Sequence, residues 1–199
     1  MYKKQMKLQK VVCLLVLVAS VIVFLYSLGI MTDLYDALYT TISAPDNPDN
    51  TRRNPVAGAF LYYDMQGFNR SFLHMGIALI LVSLLLYLTN THTRRRYYTG
   101  NVVAVAANAV AGVCVAVWAH AQIAVFKAKF LEIDFAALKE FAERRNSLYT
   151  ESTFWFDVHW FVFAFVILAN ALLIANMIWK FSLMKQEKHL VEAGKGATA

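Results

Sequence analysis

The sequence predicts an all-α integral membrane protein, a four-helix bundle of four transmembrane helices with a short amphipathic interfacial helix between helices 3 and 4. Three observations predict it. Hydrophobic residues make up 59% of the 199 residues and charged residues only 16%, against roughly half and a quarter in soluble domains. The excess lies in four blocks, each near the ~20 residues that cross a hydrocarbon core. The basic residues flank these blocks rather than forming one basic face, so the net charge of +6 orients a membrane protein and does not point to nucleic acid.

The first block, about 11–30, follows Lys3, Lys4, Lys7 and Lys10. It is longer than the 7–15-residue core of a secretory signal, and no A-x-A-type site ends it, so it reads as an uncleaved first helix. Residues 32–70 read as an external loop. Asp46-Asn47-Pro48-Asp49-Asn50 and Asn54-Pro55 break any helix there. The aromatic and leucine residues near its two ends (Leu34, Tyr35, Leu38, Tyr39, Phe60, Tyr62, Tyr63) suit a membrane surface. The second block covers about 72–89. The third, about 102–125, is rich in Ala104, Ala107, Ala111, Gly112, Ala116 and Ala119. Small residues let helices approach closely in lipid, which places this helix at the bundle centre. Between 128 and 153, Leu131, Phe135, Leu138 and Ala142 alternate with charged residues, and Asp134 can cap the start. An interfacial helix at about 130–145 follows. The fourth block, about 154–181, is flanked by Trp155, Trp160 and Trp179, as interfacial belts are. Residues 182–199 read as a polar cytoplasmic tail. No internal repeat appears, so 1–199 reads as a single membrane domain.

Four crossings put both termini and the 90–100 connection on one side. That side carries eleven lysines and arginines against two acids, a net of +9. The opposite side carries eight against eleven, a net of −3. Basic residues concentrate on the cytoplasmic side, so the expectation is a multi-pass protein of the plasma (inner) membrane with both ends inside.

Polar groups inside hydrocarbon are costly and so mark candidate sites. His74, His120 and His159 fall at one depth near the outer face, with Asp157 beside the last. Together they read as a possible metal site, or a pair of the histidines as haem ligands. The competing structural reading is that they reach water and satisfy helix ends. No HExxH and no Glu-x-x-His pair supports the sharper reading. Asn108 and Asn170 fall at one inner level, and an interhelical amide contact is expected of them. Asn176 belongs to the same polar set. Arg94, Arg95 and Arg96 suit anionic lipid headgroups, or topology alone. Asn69-Arg70-Ser71 matches a glycosylation sequon, but abuts the second helix. Cys13 and Cys114 lie inside apolar blocks and read as buried hydrophobes.

The tetraspan layout resembles claudin-like and tetraspanin-like proteins in outline. The loop cysteines of those families are absent, as are W-x-x-W and Cys-Cys-Gly, so no family is assigned. The expectation for function is a non-enzymatic subunit or scaffold, partnered by lipid and by other membrane subunits or a second copy. The alternatives are a haem- or metal-bearing redox subunit and a small transporter or channel component. The cofactor is unknown, with haem or a transition metal as the candidates.

Overall fold

A computed structural model describes residues 2–38, 56–59, 61–91, 99–145 and 149–196. The described chain is all-helical, and four of its helices are long and apolar enough to cross a membrane. These are α1 (Tyr2–Leu38), α2 (Leu61–Asn90), α3 (Thr99–Leu131) and α6 (His159–Gly196). Two short helices precede α6, α4 (Phe135–Arg145) and α5 (Phe154–Asp157).

The helices outrun the apolar blocks. α1 continues past Ile30 to Leu38, α2 starts at Leu61 rather than near 72, and α6 continues past Phe181 to Gly196. The physical reason is propagation. Once a span is helical, each further residue adds a hydrogen bond without a new nucleation cost. Met184 to Ala193 contains strong helix formers and no glycine or proline, so nothing there stops α6, which runs on to Gly196. Hydropathy locates the membrane segment, not the helix end. The turn signals at 46–50 and 54–55 lie outside the described residues, as do Tyr39, Phe60 and the side chains of Leu34, Tyr35, Leu38, Tyr62 and Tyr63.

The chain forms two compact units: Met1–Val21 with Ala78–Cys114 and Ala164–Ala199, and Ile22–Ile77 with Val115–Phe163. Each long helix contributes to both. Buried positions repeat at mixed three- and four-residue spacing, as in coiled-coil seams. On α2 the small or polar residues Asn69, Gly76, Ser83 and Asn90 recur every seven.

In the first unit, α1, α2, α3 and α6 close a ring of neighbours. Ser20 meets Ser83, Ser83 meets Asn108, Asn108 meets Asn170, and Gln9 meets Asn176. In this unit the polar contacts tie α3 to α2 and α6 and make it one member of the ring, not its centre. The most apolar window of α3 is 39% buried, between 28% for α2 and 44% for α1 and α6. Val103, Val110 and Val117 form an exposed stripe along it. The small residues are used at one edge. A Cβ on Gly112 would stand 2.8 Å from Asn170 Nδ2, so only glycine admits α6 this closely.

The second unit is held by aromatic packing. Tyr26 donates to the Trp155 carbonyl at 2.7 Å and packs against Phe72 and Phe163. Phe68 stacks with Phe72 and contacts Trp118 and Phe126. A Cβ on Gly76 would stand 3.1 Å from the Phe24 backbone, so α1 and α2 nearly touch there. The segment 56–59 turns through Gly58, whose φ of 79° suits glycine. It buries Val56 and Ala59. α4 starts at Phe135, five residues later than the expected 130, because α3 runs on to Leu131; the cap is the residue the sequence offered. Asp134 Oδ1 accepts from Ala137 N at 3.0 Å, satisfying a free donor of the first turn. Ile133, Leu138, Phe141 and Ala142 are buried, while Glu132, Lys139, Glu140, Glu143 and Arg144 are exposed. Leu131 is also exposed, at the last turn of α3, and is not part of that stripe.

Candidate functional site

Among the described residues, polar side chains of the spans form three main clusters, and the first is a directed chain in the first unit. Asn108 Oδ1 can only accept, so the Ser83 hydroxyl donates to it, at 2.9 Å. Ser83 has then spent its proton. The Ser20 hydroxyl lies 2.6 Å from Ser83 Oγ and 3.0 Å from the Val16 carbonyl, so its one proton is shared between these two acceptors and Ser20 is the donor of the shorter contact. Asn108 Nδ2 donates to Asn170 Oδ1 at 3.0 Å, and Asn170 Nδ2 donates to the Val166 carbonyl at 2.9 Å. The chain runs Ser20, Ser83, Asn108, Asn170, Val166. It crosses all four long helices, and all its side chains are buried. The sequence singled out Asn108 and Asn170, and the structure brings them together. It left out Ser20 and Ser83, although Ser83 belongs to the seven-residue polar repeat of α2.

The second place, in the same unit, is a buried amide cluster. Asn176 Nδ2 donates to Gln9 Oε1, and Gln5 Nε2 lies 3.3 Å from Gln9 Oε1 and 3.5 Å from Asn176 Oδ1. Gln9 Nε2 faces Cys13 Sγ at 3.4 Å. Lys180, one turn beyond Asn176, is buried as well. Gln5 and Gln9 were missed because they lie among the N-terminal lysines, which read as a solvated flank. The cysteines divide: Cys13 is buried, but Cys114 is exposed on α3.

The third place lies in the second unit and holds two of the three predicted histidines. His120 Nδ1 and His159 Nε2 are 2.8 Å apart. His159 is buried and its Nδ1 lies 2.5 Å from the Phe156 carbonyl. A carbonyl only accepts, so His159 Nδ1 carries the hydrogen and Nε2 offers a lone pair. In the neutral pair His120 Nδ1 then donates. Trp160 packs against both rings, with centroids 4.6 and 5.1 Å away. The two rings meet because α3 and the α5–α6 segment run side by side here.

His74 and Asp157 do not join them. His74 lies on the exposed face of α2. Asp157 is taken by other groups: Oδ1 pairs with Lys127 Nζ at 2.5 Å, and Oδ2 accepts from Thr153 Oγ1 at 2.7 Å. Among the described residues no three His, Cys, Asp or Glu side chains gather as a metal site. The four-residue set expected from shared depth is thus divided, because depth says nothing about helix rotation. Lys127 was missed since it falls between the third block, which ends near 125, and the segment that begins at 128. Asn69 of the sequon is 1% exposed, with no partner for either amide atom among the described residues, so it is not presented for glycosylation. Arg94, Arg95 and Arg96 lie outside the described residues.

Comparison with protein-family models, with curated proteins and with solved structures yields no match to this chain.

Proposed function

We propose that the chain is a non-enzymatic subunit of a plasma-membrane assembly, inserted with both termini in the cytoplasm. The observation that carries this reading is the buried chain from Ser20 through Ser83 and Asn108 to Asn170. It spends polar groups of four spans on holding those spans to one another. A path for a polar solute would need such groups free, and here each one has a partner. Ser83 belongs to a seven-residue repeat on α2, the spacing of a packing seam. The outer surfaces suit a hydrophobic solvent or a flat apolar partner. Leu14, Val18 and Leu25 of α1, Leu81, Leu85 and Leu88 of α2, and the valine stripe of α3 are all exposed. Lysines 3, 4, 7 and 10 near one end of α1, and 185 and 188 near the far end of α6, support the orientation.

The test is native mass spectrometry of the full chain, purified from its own membranes in mild detergent at its natural level. The expected result is one complex of fixed stoichiometry in which the chain is a minor or repeated component. A lone monomer in gentle conditions that retain lipid would overturn the reading.

A further inference from the structure

We infer that His120 and His159 form a site for a single proton, which enters at His120 Nε2 and is then shared between the two rings. The inference rests on residues other than those that carry the proposed function, so either can fail alone. The imidazoles meet head-on, with His120 Nδ1 2.8 Å from His159 Nε2. The helix is interrupted at Val158, between α5 and α6, and there the Phe156 carbonyl accepts from His159 Nδ1. In the neutral pair each Nδ1 therefore carries a hydrogen and each Nε2 a lone pair. The lone pair of His159 accepts from His120. The lone pair of His120 Nε2 has no hydrogen bond among the described residues, and its ring is half-buried while His159 is buried. A proton has one way in.

A proton added at His120 Nε2 leaves both contacts standing. His120 becomes an imidazolium that still donates from Nδ1, and the bond between the rings becomes charge-assisted, about twice as strong as a neutral one. The hydrogen between the rings can then pass to His159 Nε2, with His120 Nδ1 accepting in turn. Beyond His159 lies a backbone carbonyl, which only accepts. The pair is thus a terminal proton site and not a link in a relay. A second proton would make both facing nitrogens donors, with no lone pair between them. It would also put two charges on rings whose centroids are 5.0 Å apart, which at an effective dielectric of ~20 weakens its binding roughly 200-fold. The fixed charges nearby largely cancel. Asp157 of α5 and Lys127 of α3 act on the pair and are joined to each other. Tyr26 of α1 is bound to the Trp155 carbonyl, and His74 of α2 and the charges of α4 are exposed. α6 has no other charged residue before Lys180. Acid therefore tightens α3 onto α6 with one proton, before a second drives them apart.

The experiment is a pH titration of the full chain, free of any polyhistidine tag, in lipid nanodiscs. Histidine is isotope-labelled, and nitrogen magnetic resonance follows each ring nitrogen. The pair is recognised by the nitrogen–nitrogen coupling across its hydrogen bond. Between pH ~8 and ~4 the expected result is one proton taken up by the pair, at His120 Nε2. The coupling should persist through that step and vanish only with a second proton. In His120→Asn a charge on buried His159 has no second ring to share it, so its protonation should be at least ~10-fold weaker. His74→Asn should leave the titration of the pair unchanged. If His120→Asn fails to fold, the wild-type titration decides alone. Two protons taken up within about one pH unit would overturn the inference. So would a coupling that is absent or is lost with the first proton, or a pair still neutral at pH ~4.

Discussion

Replacing Asn108 by alanine should cost more stability than any other single change in the polar chain. The side chain makes two interhelical bonds, accepting from Ser83 at 2.9 Å and donating to Asn170 at 3.0 Å. Such bonds in membranes average about 0.6 kcal/mol, with a maximum near 1.7. Two of them give about 1.2 kcal/mol, and at most ~3.4. The change also strands Asn170 Oδ1, which is buried, at a further ~1–3 kcal/mol. Ser83 avoids that cost, since its hydroxyl can turn to a carbonyl of its own helix. The expected total is about 2–4 kcal/mol. Ser20→Ala is the internal control. It removes the end of the chain and leaves Ser83 still donating to Asn108, so its cost should be about 0.6 kcal/mol. Equilibrium unfolding of the full chain in mixed micelles, or steric trapping in bicelles, reads both values. Equal costs for Asn108→Ala and Ser20→Ala would refute the directed chain.

Three further outcomes follow from the same geometry. Gly112→Val should cost about 1–3 kcal/mol by forcing Asn170 away, and its effect should be less than additive with Asn108→Ala; full additivity in the double variant would show that the two do not share a contact. Asp134→Ala should remove the cap of α4, at about 1 kcal/mol, and speed amide exchange in its first turn while α3 stays protected; unchanged exchange at Ala137 would refute the capping role. Expressed in a eukaryotic secretory host, the chain should show no glycosidase-sensitive mobility shift, because Asn69 is buried; a shift abolished by Asn69→Gln would contradict the packing of α2.

Much of this was legible in the residues. Asp134 reads as a cap because a carboxylate just before a helical stripe has one local use. Asn108 and Asn170 could be paired because depth along a helix is a one-dimensional quantity. The same argument failed for His74 and Asp157. Equal depth brings groups to one level, but rotation decides whether they face the same interior. His74 turned outward and Asp157 was taken by Lys127, a residue thirty positions earlier on another helix.

The sequence by itself determined that the chain is helical, that it carries four apolar spans, and which residue caps one amphipathic helix. Those features follow from hydropathy and from hydrogen bonds between near neighbours, which any stretch of chain carries within itself. Only the tertiary structure decided which helices touch. It put α3 in a ring of four helices, not at a centre. It drew Ser20 and Ser83 into the asparagine chain, and it aimed His120 at His159. Each of those outcomes depends on the rotation and register of one helix against another. They are set by how side chains interdigitate, as at Gly112, and no single segment records that.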